Sequence, residues 1–265
     1  MTRSSGILAF ELGRWFIENR RSPALLCPTA IDMKQILVYA DSLSWGIVPG
    51  TRQRLPFDAR WPGVMENALR MQGVAARVFE NCLNGRRTAW DDPFKPGRNG
   101  VVGLEQVIEM HSPLDLVIVM LGTNDFQTVH AHTARHSAEG IGALIDSVRR
   151  APVEPGMPTP PVLIVVPPAI SIPDGPVMPK FVGGQDRCVG LAEAYSDIAR
   201  AQGCMVFDAG TVTTTSRRDG IHLDADQHIV LGKAIADIVQ VALEHEEGEP
   251  VVAEVPSTAA CAVGR

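Results

Sequence analysis

Five short apolar runs, separated by longer segments with helical periodicity, constrain the fold of this chain more than any other feature. The runs lie at residues 36–40, 77–80, 116–121, 162–166 and 205–208. Nearly continuous apolar runs of this length are typical of strands buried on both faces, as in a parallel sheet. Helical patterns lie at residues 61–71, 103–110, 133–149, 186–201 and 226–243. The alternation predicts an α/β fold, a three-layer α/β/α sandwich with a five-stranded parallel sheet.

The chain has 265 residues and no internal break in composition, which favours one domain. We assign that domain to residues 33–243 and treat residues 1–32 as an N-terminal extension. The acidic segment 244–265 contains Pro and Ala without a clear period, so it is predicted to be a disordered tail. Neither end is expected to carry the chemistry.

Charge and cysteine pattern exclude several classes of function. The net charge of −6 leaves no broad basic surface, so no nucleic-acid partner is expected, and the substrate is predicted to be small and not strongly anionic. The five cysteines are odd in number, dispersed and never in a C-x-x-C pair, which favours a reducing cytoplasm. No apolar run approaches the ~20 residues that span a bilayer, so no membrane association is expected.

Polar residues follow the predicted strands at the edge where parallel sheets bind ligands. They provide the groups that acyl transfer requires, namely a hydroxyl nucleophile, an imidazole, a carboxylate and N–H donors. The residues are Asp41 and Ser42, Asn84 and Gly85, Gly122, Thr123, Asn124 and Asp125, and finally Asp219 and His222. Asp219 and His222 are separated by two residues, so a single short turn can present both side chains on one side. The sequence therefore predicts one site built from four loops.

Four segments of this chain resemble the conserved blocks of SGNH (GDSL-type) hydrolases, in the order found in that superfamily. The segments are VYADSLSW, CLNGRRT, VIVMLGTND and DGIH, and the resemblance extends from about residue 34 to about residue 243. The segments DSLSWG, ARWPGV, TAWDDP and SPLDLVIVMLGTND, with the Pro pair after the fourth strand, are most similar to the arylesterase/acyltransferase branch.

The resemblance implies a flavodoxin-like fold, hydrolysis of small acyl esters of aryl or simple alkyl alcohols, no cofactor or metal, and frequent homo-oligomers. In some members of this branch the acyl group passes to an alcohol or to peroxide. Carried over by position, Ser42 is the nucleophile, and Asp219 and His222 are the acid and base. The oxyanion donors are Ser42, Gly85 and Asn124.

The chain departs from the superfamily pattern at Ala40, where Gly normally precedes Asp-Ser. A positive φ at this position would strain an alanine by ~1 kcal/mol or more, but we expect Ala40 to end a strand with negative φ. Cys82 replaces a small residue of the second block and is expected to pack as a small apolar group.

Two long Pro- and Gly-rich stretches, 84–100 and 167–184, are predicted to form walls or lids of the site, with a plain surface insertion as the alternative. The predicted substrate contacts are Trp45, Trp90, Phe181 and Ile221, although tryptophan is also common in cores and interfaces.

Several other polar residues are predicted to be structural. The residues are Asp91 and Asp92 in a loop, Asp125 as a helix N-cap, and His111 and His228 as ordinary surface or helix residues. His130, His132 and His136 invite a metal site but lack a nearby carboxylate or cysteine, so a solvated or pocket-rim helix start is favoured.

The sequence thus predicts a serine carboxylesterase that forms an acyl-enzyme on Ser42 and acts on a small-molecule ester. Two alternatives stay open. One is a carbohydrate or antibiotic O-deacetylase that uses the same catalytic set, and the other is a non-catalytic binding protein that retains the fold.

Overall fold

Five strands form one parallel sheet in the order β2-β1-β3-β4-β5. The structure, a computed structural model, describes residues 32–244. The predictions for the two ends of the chain therefore lie outside the described residues, apart from Asp32 and Glu244. The strands are β1 (Lys34–Ala40), β2 (Ala76–Cys82), β3 (Leu116–Met120), β4 (Val162–Val166) and β5 (Met205–Asp208). The predicted five-stranded parallel sheet is confirmed.

Helices cover both faces of the sheet. They are α1 (Ser42–Trp45), α2 (Trp61–Met71), α3 (Leu104–His111), α4 (Ala134–Arg150), α5 (Met178–Phe181), α6 (Gly184–Arg187), α7 (Leu191–Gln202) and α8 (Ala225–Glu244). Helix α2 packs against α8, and α4 packs against α7 and α3. The predicted three-layer α/β/α sandwich is confirmed. The single helix predicted at 186–201 is wrong, because Gly190 adopts φ +81° between α6 and α7.

The central strands form the middle of the core because their side chains are apolar on both faces. Every residue of β3 and β4 is buried, whereas the edge strand β2 is mostly half-buried. The carboxylate of Glu66 on α2 accepts the backbone N–H of Val78 on β2 at 2.8 Å. The outer edge of β2 has no neighbouring strand within residues 32–244, and such edges are vulnerable to pairing with other chains. The bond to Glu66 satisfies one of the backbone groups on this edge, the N–H of Val78. The edge position explains why β2 has the least apolar sequence of the five.

Ala40 causes no strain at the end of β1. It pairs with Cys82 on one side and with Met120 on the other, in the regular register of both strand pairs. Its backbone is therefore extended, a conformation that any L-residue adopts. Cys82 packs against the apolar core as expected.

His228 contradicts the prediction that it is an ordinary surface or helix residue. The side chain is fully buried in α8, and its Nδ1 accepts the backbone N–H of Trp61 at the start of α2, at 3.2 Å. Burial lowers the pKa of His228 to about 4, and electrostatic interactions with His222 and Arg60 add to the shift. The ring therefore stays neutral and joins α8 to α2.

This buried ring predicts a specific loss of stability in acid. The unfolded chain takes up a proton on His228 near pH 6.5, whereas the folded chain resists it down to about pH 4. The free energy of unfolding should fall over this interval by up to about 3 kcal/mol. His228→Asn keeps an oxygen acceptor for the Trp61 N–H but cannot titrate, so urea unfolding at pH 7, 5.5 and 4.5 should show the variant gaining stability relative to the wild type. Parallel pH dependence of the two proteins would contradict this assignment.

Candidate active site

Ser42 begins helix α1 directly after β1 and lies at the carboxyl edge of the sheet. The preceding Asp41 caps this helix, because its Oδ1 accepts the backbone N–H of Leu43 at 2.9 Å. A residue at the first helical position has no acceptor for its N–H within the helix, so the N–H of Ser42 is available to a ligand. The Ser42 side chain is only 6 % exposed, which restricts access to its hydroxyl.

His222 and Asp219 complete a chain of hydrogen bonds to Ser42. His222 Nε2 lies 3.2 Å from Ser42 Oγ, and His222 Nδ1 lies 2.8 Å from Asp219 Oδ2. Gly220 allows the tight turn, since it adopts φ +72° and a β-carbon there would lie 2.3 Å from the carbonyl oxygen of Ile172. The structure thus brings together all three predicted catalytic side chains.

Asp219 is an acceptor for four donors. Its Oδ1 accepts the backbone N–H groups of Ile221 and His222 at 3.0 and 2.9 Å, and its Oδ2 also accepts the N–H of Gly50 at 3.1 Å. Burial alone would raise the pKa of Asp219, but the hydrogen bond and charge of His222 and the two backbone donors lower it to about 2. The ionised carboxylate holds the proton of His222 on Nδ1, which leaves Nε2 free to take the proton of Ser42.

Gly85, in the loop after β2, offers a second free backbone donor. It adopts φ +84°, a conformation that favours glycine, and its N–H has no acceptor in the part of the chain that the structure describes. The carbonyl oxygen of the same peptide unit, that of Asn84, accepts hydrogen bonds from Lys95 Nζ at 3.2 Å and from Arg98 Nε at 3.0 Å.

Asn124 is held at both ends of its amide. Its Nδ2 donates to Asp41 Oδ2 at 2.9 Å and to the Arg86 carbonyl at 3.1 Å, and its Oδ1 accepts from Gln127 Nε2 at 2.9 Å. Both amide hydrogens are therefore engaged in the free protein, so an oxyanion must share one of them. Burial raises the pKa of Asp41 to about 6, although the Leu43 N–H, His222, Asn124 and Arg86 oppose the shift.

Gln127 and Arg87, which were not among the predicted site residues, orient the Asn124 amide. The side chain of Arg87 is fully buried, and its Nη2 donates to Gln127 Oε1 at 2.9 Å and to Asp92 Oδ2 at 3.2 Å. Asp92 also accepts the N–H groups of Phe94 and Lys95, which supports the structural role predicted for it. Arg86 and Arg87 follow Gly85 directly in a chain of negative net charge, and this pair is the sequence feature that could have indicated a structural role for Arg87.

Asp125 contradicts the prediction of a helix N-cap. Its carboxylate is fully buried and accepts hydrogen bonds from the Thr88 N–H at 3.1 Å, Thr88 Oγ1 at 2.7 Å and Ser137 Oγ at 2.6 Å. Burial raises the pKa of Asp125, and the donors of Ser137 and Thr88 oppose the shift. Ser137 also contacts the hydroxyl of Tyr195, which donates to the Leu121 carbonyl. Asp125 thus connects the loops after β2 and β3 with α4 and α7.

The four predicted substrate contacts differ in their surroundings. The guanidinium of Arg54 lies 4.6 Å from the ring centre of Trp45, and Trp90 packs against His132 with ring centres 4.4 Å apart. Phe181 and Ile221 are buried and belong to the apolar core. Direct contact of these four residues with a substrate stays a prediction.

Of the three histidines after β3, His130 and His132 are half-buried, whereas His136 is exposed in the first turn of α4. His130 and His132 stack with ring centres 4.7 Å apart, and His132 lies 5.6 Å from His136. Burial lowers the pKa of His132 to about 4, together with His130, His136 and Arg87. Within residues 32–244, no group of three or more metal-ligating side chains is arranged to hold an ion.

Two open cavities adjoin the loops that carry the site residues. One, of about 430 Å³, is lined by Asp92, Phe94, Lys95, Gln127, Thr128, Val129, Pro179 and Lys180. The other, of about 350 Å³, is lined by Val48, Pro49, Leu55, Arg218, Asp224, Ala225 and Asp226. The first adjoins the oxyanion side through Gln127, and the second adjoins the turn that carries Asp219. Residues of the predicted wall stretches 84–100 and 167–184 line the first cavity, whereas neither stretch lines the second.

Comparison with known proteins shows which family and which solved structures this chain is similar to. Residues 41–229 match the sequence model of the GDSL-like lipase/acylhydrolase family. The inhibitor-bound aryl esterase of M. smegmatis is 36% identical, with a TM-score of 0.75, and the match covers 79% of this chain and 99% of that one. Est24, a carbohydrate acetylesterase from Sinorhizobium meliloti, is also 36% identical, with a TM-score of 0.73 and coverage of 78% and 99%.

A lipase/acylhydrolase from Enterococcus faecalis is 18% identical with a TM-score of 0.57, covers 82% of this chain and 100% of its own, and supports the fold alone. Comparison with curated protein sequences gives no match. Among residues 32–244, no helix has the length and apolar character needed to cross a membrane.

The geometry around Asp219 predicts the effect of Asp219→Asn. The amide oxygen would stay with the Ile221 and His222 N–H groups, which places the amide nitrogen against His222 Nδ1 and forces the ring proton onto Nε2. This tautomer cannot accept the proton of Ser42, so kcat for p-nitrophenyl acetate should fall by about 10³–10⁴. Asp146→Asn, an exposed change on α4, is the matched control. A decrease of less than tenfold would rule out this role for Asp219.

Proposed function

This chain belongs to the GDSL-like lipase/acylhydrolase family, a group of SGNH serine ester hydrolases, and on this premise we propose that it hydrolyses small acyl esters of aryl and simple alkyl alcohols. The observation that carries the proposal is the hydrogen-bonded chain from Ser42 Oγ through His222 to Asp219, with distances of 3.2 and 2.8 Å. Ser42 and His222 are each only 6 % exposed, which supports small acyl groups.

The first half of the reaction forms an acyl-enzyme. His222 Nε2 takes the proton of Ser42 as Oγ attacks the ester carbonyl carbon, and the carbonyl oxygen becomes an oxyanion facing the N–H groups of Ser42 and Gly85. The ionised Asp219 stabilises the imidazolium. When the tetrahedral intermediate collapses, the bond to the alcohol oxygen breaks and His222 returns its proton to the departing alkoxide.

The second half releases the acid. Water gives a proton to His222 and attacks the acyl carbon, and collapse of the second intermediate returns the proton to Ser42 Oγ. An alcohol or peroxide that takes the place of water would receive the acyl group instead. Limited access of bulk water to Ser42 supports such transfer, which we propose as a secondary activity.

A second candidate function is O-deacetylation of a carbohydrate. It is favoured by the 36% identity to the carbohydrate acetylesterase from S. meliloti, because the same catalytic set serves both substrates. The shapes of the two cavities would determine whether the site accepts an aryl or a sugar alcohol.

We further propose that the chain forms a homo-oligomer through the long loops and acts in the cytoplasm. The support for the oligomer is a set of strongly exposed apolar side chains on these loops, namely Phe94, Ile172 and Val182. The cysteine pattern supports a reducing compartment, since Cys82, Cys188 and Cys204 form no disulfide within residues 32–244. Sedimentation that shows only monomer at working concentration would contradict the oligomer.

The first experiment measures turnover of p-nitrophenyl acetate and p-nitrophenyl butyrate by the wild type and by Ser42→Ala. We expect the variant to lose nearly all turnover, by about 10⁵–10⁶ in kcat, and the wild type to prefer the acetate. Equal release by both proteins would refute Ser42 as the nucleophile. Release of acetate from a peracetylated sugar, compared with phenyl acetate at equal concentration, separates the two candidate substrate classes.

A further inference from the structure

The peptide unit between Asn84 and Gly85 has different partners on its two sides. Its N–H belongs to Gly85 and is one of the assigned oxyanion donors. Its carbonyl oxygen accepts hydrogen bonds from two cationic side chains, Lys95 Nζ at 3.2 Å and Arg98 Nε at 3.0 Å. Both cations come from the loop that connects β2 to α3.

The planar trans peptide links these two sides physically. The carbonyl and the N–H of one unit point in opposite directions, so the cations can bind the oxygen without blocking the N–H. Hydrogen bonds donated to the oxygen polarise the amide and make its N–H a stronger donor. Charged donors have a larger effect than neutral ones.

Lys95 and Arg98 also bring positive charge close to Gly85 itself. Lys95 Nζ would lie 3.8 Å from a β-carbon built on Gly85, and Arg98 Nε would lie 3.9 Å from it. Neither side chain forms a salt bridge with a carboxylate in the described part of the chain. Burial and the charges of Arg98, Lys180 and Arg52 lower the pKa of Lys95, and Asp92 opposes the shift.

The two halves of this turn are anchored by different groups. On one side, Arg86 Nη1 donates to the Ala40 carbonyl at 3.0 Å, and its guanidinium lies 3.8 Å from the ring centre of Tyr39. On the other side, the buried Oδ1 of Asn84 has no hydrogen-bond partner within residues 32–244. The carbonyl bonds to Lys95 and Arg98 are therefore the polar contacts that fix the peptide plane on the Asn84 side.

We propose that Lys95 and Arg98 are positioning residues for the oxyanion hole. They fix the orientation of the Asn84–Gly85 peptide plane and strengthen the Gly85 N–H as a donor to the developing oxyanion. This inference rests on the proposed ester hydrolysis at Ser42. Neither residue touches the reacting atoms, so each acts through the Gly85 N–H.

The test compares Arg98→Gln, Lys95→Met and their double variant with the charge-conserving Arg98→Lys and Lys95→Arg. The readouts are kcat and KM for p-nitrophenyl acetate, inhibition by phenylboronic acid, which forms a tetrahedral anionic adduct on a serine, and the midpoint of thermal unfolding. Arg150→Gln on α4 is the control, because it removes an exposed arginine that pairs with Glu105.

Removal of an entire oxyanion donor costs about 10²–10³ in rate. Because the N–H itself remains, we expect kcat of the double variant to fall about tenfold, with KM changed less than twofold and boronate affinity weakened by the same factor as kcat. The charge-conserving variants should recover most of this loss, and Arg150→Gln should match the wild type.

Three results would overturn the inference. They are a double variant with kcat within twofold of an active wild type, a fall in kcat with unchanged boronate affinity, and charge-conserving variants as impaired as the neutral ones. If the double variant does not fold, Arg98→Gln with its boronate affinity decides the question. If the wild type hydrolyses no ester, the proposed function fails at that point and this inference fails with it.

Discussion

The hydrogen bonds to the buried carboxylate of Asp125 determine how the site is assembled. A carboxylate removed from water is costly unless donors satisfy it, and here Thr88 and Ser137 provide three donors. These bonds fasten the loop after β2 to the loop after β3, and those two loops carry Gly85 and Asn124. The close approach of Thr88 to α4 depends on Gly140, where a β-carbon would lie 2.0 Å from Thr88 Oγ1. The parallel sheet aligns the strand ends, and Asp125 sets the distance between the loops that follow.

The strands, the layers and the proximity of Ser42, Asp219 and His222 could be predicted because each has a local signature. Continuous apolar runs such as β3 and β4 mark buried strands, and the two-residue separation of Asp219 and His222 fits one turn. Asp125 and His228 could not be predicted, since their partners lie 37 and 167 positions away along the chain and no local pattern distinguishes a buried polar residue from an exposed cap. Gln127 and Arg87 were missed for the same reason.

The proposed site combines a local pair with a distant serine. Asp219 and His222 share one turn and are joined by two hydrogen bonds, whereas Ser42 lies 180 positions from His222 and depends on the packing of β1 and α1. The buried ring of His228 links α8 to the start of α2, and the indole of Trp61 donates to Ser44 next to the nucleophile. The position of Ser42 relative to His222 is therefore a property of the whole sheet and its helices, while the acid–base pair is a property of one turn.

The hydrogen bond from the Gly50 N–H to Asp219 means that the loop after α1 cannot be redesigned for substrate range without affecting Asp219. Loops that line a cavity are usually the first segments to be randomised, because they tolerate insertions better than strands do. Here the segment around Val48 and Pro49 both lines a cavity and contacts the triad acid through its neighbour. Libraries that vary the length of this segment would alter the acid together with the pocket. Diversity introduced around Pro179 and Lys180 would reshape the other cavity while leaving the triad contacts intact.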